Sequence, residues 1–502
     1  MDPTLGAEDI QGNIIPGFRR TQQLFVTLQS DSGDQLRAGL KTLAGKITRL
    51  SETMAHKADR KAAFLAQVVP PTRDDLWLNV ALGAPALRSL GIHSVEQKDV
   101  AFQAGMIPSR TGDCSKDVLP DGSPNLAHPK HWVVGGPNAR LDLLCIFAAD
   151  QEVEKASAPT VKALEAAGLR TIWRQPAQLL TNGAEHFGFA DGISQPGPRG
   201  VANVNGELQQ VTTRYGVPPQ NGREFGKPGQ LLVEPGQFVF HEDIDAMVHN
   251  GSFLVLRRLT QNVRGFYAET DSLAVTLSTQ LQAPITGNEL RAHIVGRWPS
   301  GQPLMRSNPN PSIPEEMLAL NHFGFLTPSP AIVLSDGTHV AASKPDPDPN
   351  KGLQCPIWAH IRKVNPRDLP TNLGGPDDTA SFQMLRRGIP FGRAFDHVNP
   401  DAAVNAEERG LMFVAYQTSI STQFENLNSN WMNSDNGPTA GGYDLLVGQA
   451  LSSGLHGSKS AEFNQAGQLP TIPIKTMLQW VTPTGGAYLF APGVAALAAM
   501  AG

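Results

Sequence analysis

Cysteine is scarce in this chain. Its 502 residues include three, Cys114, Cys145 and Cys355, far apart and in no CxxC pair. An odd, scattered set excludes a disulfide framework and a thiolate zinc site. Charge is also thin: 17% of residues are charged, and 41 Lys+Arg against 46 Asp+Glu give a net charge of −5. That balance offers no electrostatic case for nucleic acid or an anionic membrane as a partner. No apolar run approaches the ~18 residues that cross a bilayer, so no transmembrane helix is expected. The opening MDPTLGAEDIQGNIIPGF lacks the apolar h-region of a signal peptide. As given, the sequence reads as cytoplasmic, or as a secreted protein whose leader has been removed. The common nucleotide and hydrolase signatures are missing: no GxGxxG, GxxxxGK[ST], HExxH or GxSxG occurs. A nucleotide enzyme or a hydrolase of those kinds has no motif to rest on.

What is present is a globular composition, with 40% hydrophobic residues. A single core rarely grows beyond ~250–300 residues, so two domains or a duplicated one are expected. Short strand-like runs alternate with helical patterns. Leu24 to Leu28, Leu76 to Leu82, Leu141 to Ala148 and Leu169 to Trp173 read as strands. Pro85 to Leu90 reads as a short helix, and Gln151 to Ala167 as an amphipathic one closed by Gly168. The run Leu141 to Ala148 is apolar throughout, which predicts burial on both faces. A glycine- and proline-rich stretch from Gly197 to Gln230 reads as a seam between halves 1–200 and 230–502. The rhythm then returns, with strands at Ser252 to Leu256 and Leu411 to Tyr416, a helix at Asp271 to Leu281, and helical pattern after Tyr416. Pro299 to Pro349 is long and loop-like. The apolar end AYLFAPGVAALAAMAG is broken by Pro492 and glycines, so it is expected to pack on the core.

Three segments could carry chemistry. In Gly188-Phe189-Ala190-Asp191-Gly192, glycines flank a carboxylate and leave it uncrowded. The plain reading is an Asp-Gly turn; the functional one is a group that accepts a proton or binds a cation. His360 lies in CPIWAHIRKVNPR. Ile357, Trp358 and Ile361 would make a dry wall, and Arg362, Lys363 and Arg367 offer cations suited to carboxylates or phosphates. A hydrogen-bonded core histidine beside a solvated basic face is the plain alternative. Arg386 and Arg387 follow Met384-Leu385 and precede Gly388-Ile389-Pro390-Phe391. That apolar setting turns one arginine inward, where an unpaired guanidinium is costly.

Together these segments resemble the dye-decolorizing peroxidases. GFADGISQP resembles that family's GxxDG motif, CPIWAHIRKVNPR its proximal-histidine segment and MLRRGIPFG its distal-arginine segment. DIQGNIIPGF and GLMFVAYQTSI are similar to it as well, and the matches run in order from Asp9 to about Gln449. The length resembles the longer branches of the family. The resemblance implies an α+β fold of two ferredoxin-like halves, each an antiparallel sheet flanked by helices. It implies haem b (iron protoporphyrin IX), held mainly by the second half. His360 matches the axial iron ligand, and Asp191 and Arg386 the distal pair. Leu411 and Phe413 match the apolar lining, and Asp444 the carboxylate that accepts the Nδ1–H of the axial histidine. Arg362 is expected at the cofactor, and Trp431 corresponds to a surface tryptophan that relays electrons in some fungal members. Phe391 stands where some members have tyrosine, which removes a radical relay there. No CxxCH occurs, so covalent c-type attachment is excluded.

The implied chemistry is self-consistent. Cleaving a peroxide needs a proton moved between its oxygens, which a carboxylate can do, and a fixed cation for the charge on the leaving oxygen. Carboxylates as a class ionise near ~3.9, below histidine, so an acidic optimum is expected. The implied partners are hydrogen peroxide and small or bulky aromatic reductants, with no nucleic acid or membrane, in a monomer or homodimer. Mn(II) oxidation stays open, with Glu242, Asp243 and Asp245 as a candidate cluster beside the plainer reading of a solvated acidic loop. The alternative from another class is a haem carrier or iron-delivery protein, which needs His360 but not Asp191 and Arg386.

Overall fold

Strands form where β-branched and aromatic residues run together. The computed structural model describes residues 6–68, 75–106, 108–113, 116–119, 122–137, 140–180, 183–199, 230–306, 317, 319–333, 337–449, 459–463, 472–476 and 478–502. Most of the seam expected from Gly197 to Gln230, and parts of the Pro299 to Pro349 stretch, lie outside these residues, as does Cys114. In the first part of the chain, β1 (Gln22–Gln29), β2 (Trp77–Leu82), β3 (Leu143–Ala149) and β4 (Arg170–Gln178) are joined by α1 (Gly33–Leu43), α2 (Leu50–Leu65) and α3 (Val153–Ala166). Every residue of β3 is buried, as its unbroken apolar run predicts. Ser32 caps α1 by accepting from the Gln35 amide. After α3 the chain turns at Gly168, whose φ of 97° suits glycine.

The second part repeats the alternation. β5 (Ser252–Gln261) leads into α4 (Val263–Leu281) and α5 (Gly287–Val295). α4 begins earlier than its sequence pattern suggests, because the Asn262 side chain accepts from the Gly265 amide and starts the helix there. Then come α6 (His360–Val364), β6 (Leu385–Arg386), β7 (Ile389–Phe391) and β8 (Gly410–Gln417). The helical pattern after β8 is realised as two π-helical segments, Ile420–Glu425 and Leu427–Met432. β9 (Val481–Ala491) and α7 (Val494–Ala501) close the chain. α7 packs on α1, where Arg37 donates to the Met500 carbonyl at 3.1 Å. The apolar C-terminal end therefore belongs to the core.

These nine strands form one antiparallel sheet in the order β6-β8-β5-β9-β2-β3-β1-β4, with β7 also on β8. The fold is thus α+β. The two groups of strands meet through β9 and β2, at Phe490 opposite Leu82. Side chains alternate across the sheet. On β8, Met412, Val414 and Tyr416 enter the core on one face, while Leu411 and Phe413 face the other way, into a cavity. Cys145 and Cys355 are free and buried. No helix among the described residues is long and apolar enough to cross a membrane.

The entry to β8 depends on a glycine. A Cβ on Gly410 would sit 1.9 Å from the Leu259 carbonyl oxygen and 2.8 Å from the Thr260 Cα. Both are backbone atoms of β5 and cannot swing aside. Gly410→Ala should destabilise the protein by about 1–3 kcal/mol, the usual cost of overpacking, read as a lower urea midpoint. An unchanged midpoint would show that β5 and β8 can separate freely.

Candidate active site

The helical and strand elements of the second part converge on a largely apolar cavity of about 300 Å³, in the size range of cofactor and small-molecule sites. His360, Asp191, Arg386, Leu411 and Phe413 all line it. The sequence separates Asp191 from Arg386 by nearly two hundred residues, yet their segments are stitched together. The Arg386 amide donates to Gln195 Oε1 at 3.1 Å, and Gln195 Nε2 returns a bond to the Arg386 carbonyl at 3.3 Å. Arg386 Nη2 donates to the Ser194 carbonyl at 2.9 Å. Behind them, a His186 ring nitrogen donates to the Phe391 carbonyl at 2.8 Å. Burial pushes that imidazole down to about 4, which keeps it neutral.

His360 opens α6, and its imidazole is partly accessible from the cavity. Its Nδ1 lies 2.7 Å from Asp444 Oδ2, which leaves Nε2 as the nitrogen available to a metal. The Asp444 carboxylate is fully buried. Its Oδ1 accepts from the amides of Leu446 at 2.9 Å and Val447 at 3.1 Å. Burial alone would raise this carboxyl, but the charge and hydrogen bond of His360, with the Val447 amide, hold it below the ordinary value. Lys363 and Lys459 brace the pair. Lys363 Nζ donates to the carbonyls of Ser434, Gly437 and Gly442, and Lys459 Nζ to that of Leu445.

Two expected residues are elsewhere. Arg362 is buried and does not line the cavity. Its guanidinium donates to the carbonyls of Cys355, at 2.8 Å, and Pro349, and lies 3.7 Å from Asp346. The reason is helical: a residue two positions after His360 is rotated by roughly 200° and points away from it. Trp431 is not a surface residue. Its exposure is 0%, its ring packs edge-on against Phe382 with centroids 5.4 Å apart, and Nε1 donates to Asn372 Oδ1 at 3.3 Å. Its π-helical segment turns it into the core, so no bulky dye can touch it.

Other residues enter that the sequence reading did not single out. Arg297 is buried at the cavity wall, and three guanidinium groups meet at Ser194. Arg297 Nη2 donates to Ser194 Oγ at 2.8 Å, Arg367 Nη2 to the same atom at 3.4 Å, and Arg386 to the carbonyl. Burial and the neighbouring cations Arg367 and Arg386 push Arg297 down to about 9. No salt bridge joins Arg297 to a carboxylate among the described residues; its guanidinium bonds the carbonyls of Gly301 and Leu320, each at 2.7 Å. A buried cation cluster of this kind calls for an anion. Arg367 had been noted among the cations near His360, but Arg297 carried no local signal. Asp243 is paired with Lys98 at 2.5 Å, and no cluster of three metal-ligating side chains occurs among the described residues.

With this geometry established, comparison with known proteins is direct. The family model for Dyp-type peroxidase, C-terminal, matches residues 338–448. A dye-decolorizing peroxidase of Mycetinis scorodonius is 28% identical over 98% of this chain and 87% of its own length. Over nearly its whole length the chain is thus similar to dye-decolorizing peroxidases. The structure of an ancestral D-type dye-decolorizing peroxidase is 25% identical, covers 98% of both chains and superposes with a TM-score of 0.72. A variant of the dye-decolorizing peroxidase from Pleurotus ostreatus gives 0.75 at 22% identity, over 99% of this chain and 100% of that one.

One carboxyl of the cavity wall sets a pH dependence. Glu185 accepts from the amides of Phe187 at 2.8 Å and Phe189 at 3.0 Å and from Gln261 Nε2 at 2.6 Å. Those bonds lower its pKa, but burial outweighs them and, with the Asp191 charge, raises it from 4.5 to about 7. An acid with a raised folded pKa binds more protons folded than unfolded, so it loses stability as pH rises through that window. Against Glu185→Gln, the wild-type protein should therefore lose stability between pH 4.5 and about 7, in urea melts of both proteins. A difference that is flat with pH would contradict the raised value.

Proposed function

We propose that this chain is a haem b peroxidase of the dye-decolorizing type that reduces hydrogen peroxide and oxidises phenols, dyes and other aromatic reductants. The observation that carries the reading is that His360, backed by Asp444, lines the same cavity as Asp191 and Arg386. The residues fit the group. An apolar cavity suits a porphyrin, and Arg297 and Arg367, which meet at Ser194, suit its two carboxylates. His360 would supply Nε2 to the iron.

When bound, the iron supplies the site at which peroxide is activated. The chain's own groups do the rest. Asp444 fixes the tautomer of His360 and makes its Nε2 a stronger donor. Asp191 takes a proton from one peroxide oxygen and delivers it to the other. Arg386, held by Ser194 and Gln195, stabilises negative charge on the leaving oxygen. Leu411 and Phe413 keep water out and strengthen both effects. A haem carrier needs only the His360 side. The Asp191 and Arg386 segments, hydrogen-bonded to each other over the cavity, favour the peroxidase.

The strand order supports two ferredoxin-like halves, within 1–200 and 230–502. In the first, β4-β1-β3-β2 is the order of a βαββαβ unit. In the second, β9-β5-β8-β7 follows the same scheme.

His360→Ala should abolish haem retention, read as loss of the Soret band; an unchanged spectrum would remove the ligand assignment. Arg386→Leu should slow the absorbance change on mixing with peroxide by ~10²–10³ at every pH. Asp191→Asn should slow it by ~10²–10⁴, most strongly in the acidic range, where water and hydroxide are poor bases. Stopped-flow traces across pH measure both. Wild-type rates for both variants in the acidic range would overturn the distal roles.

A further inference from the structure

The cavity has a second charged end that the peroxide chemistry does not use. Arg257, Leu259 and Gln261 face the cavity from β5. Gln261 bonds Glu185 beside the Asp191 loop, so Arg257 stands about 13 Å further along the strand, four residues away. It is 4% exposed. Its Nη2 pairs with Asp113 Oδ2 at 2.9 Å, and that oxygen also accepts from Thr111 Oγ1 at 2.7 Å. Its guanidinium carbon lies 5.7 Å from the Trp132 ring and 5.9 Å from the Phe424 ring. Nε and Nη1 are buried and have no hydrogen-bond acceptor among the described residues.

Leaving buried charged donors unmet is expensive, at roughly 1–3 kcal/mol or more for each. The acceptor must come from what the cavity holds. The walls next to Arg257 are apolar and aromatic: Phe413, Phe424 and Leu427 all line the cavity. The pair Arg257–Asp113 is neutral overall, so a carboxylate brought here would leave a net buried charge. A neutral hydroxyl matches it, with an oxygen that accepts from arginine and a proton that faces aspartate.

We propose that the Arg257–Asp113 end of the cavity is a subsite for a small neutral phenol, its ring against Phe413, Phe424 and Leu427. This deepens the peroxidase reading, on which it rests, by naming how a small reductant is held. When such a phenol gives up an electron to the peroxide-oxidised enzyme, its O–H bond breaks and the proton passes to the Asp113 carboxylate. No such role can fall to Arg386, whose guanidinium is tied to Ser194 at the other end.

The test is calorimetric titration of the resting haem-loaded protein with phenol, and with anisole, which keeps the ring and the acceptor but lacks the proton. Wild type should bind phenol roughly tenfold or more tightly than anisole, the worth of one charge-assisted hydrogen bond. The double variant Asp113→Leu/Arg257→Met removes the ion pair whole, leaves no stranded charge, and should bind the two equally. Asp113→Asn removes the charge that takes the phenol proton but leaves Arg257 for the shared oxygen; it should weaken phenol severalfold while sparing anisole, so the proposal stays testable if the double variant does not fold. A wild type that binds phenol and anisole alike, or a preference that survives in both variants, would overturn the subsite and leave water as its occupant. A wild type with no Soret band would overturn the haem reading instead.

Discussion

The structure turns on one buried hydrogen bond, His360 Nδ1 to Asp444 Oδ2 at 2.7 Å. A carboxylate with no exposed surface is costly unless every lone pair is used. Here one oxygen serves the imidazole and the other takes two backbone amides. The loop that carries Asp444 is fixed in turn by Lys363, one helical turn after His360, through three carbonyls. Imidazole, acceptor and the cation that fastens them thus come from one short helix and one loop, and neither can shift without breaking the other.

The sheet supplies the opposing wall. Because strand side chains alternate, β5 and β8 can bury Leu254, Leu256, Met412 and Val414 on one face and offer Arg257, Leu259, Leu411 and Phe413 to the cavity on the other. The register puts Leu411 beside Leu259 and Phe413 beside Arg257, so the apolar lining grades into a charged end within one residue pair. A slip of one residue would exchange the two faces. Gly410 holds the register by letting the strands approach closely.

The legible parts of the site were those with local context. Asp191 sits between glycines, His360 in an apolar and basic segment, and Arg386 in an apolar one, and all three line the cavity. Asp444 could be named only through the family resemblance, because nothing next to it in sequence marks it. The failures share one physical cause: sequence shows a residue's type but not the direction in which it points. Arg362 looked like a cofactor cation and is turned away by helical geometry. Trp431 looked like a surface relay and is carried inward by a π-helical segment, whose spacing no 3.6-residue pattern reveals. Arg297, Arg257 and Glu185 were invisible for the opposite reason. Each lies on an ordinary strand, helix end or turn, and matters only because distant segments close around it. Strand positions in the apolar runs were read well, since burial on both faces needs nothing but continuous apolar side chains.

On the proposed haem reading, Asp444 controls the electron richness of the iron that His360 would hold. A carboxylate on Nδ1 raises the basicity of the imidazole and favours the higher oxidation state of iron. The direct measurement is the Fe(III)/Fe(II) midpoint potential of the haem-loaded wild type and of Asp444→Asn, by spectroelectrochemistry. The potential should be more positive in the variant, with the Soret band retained. A potential equal to that of the wild type would contradict it.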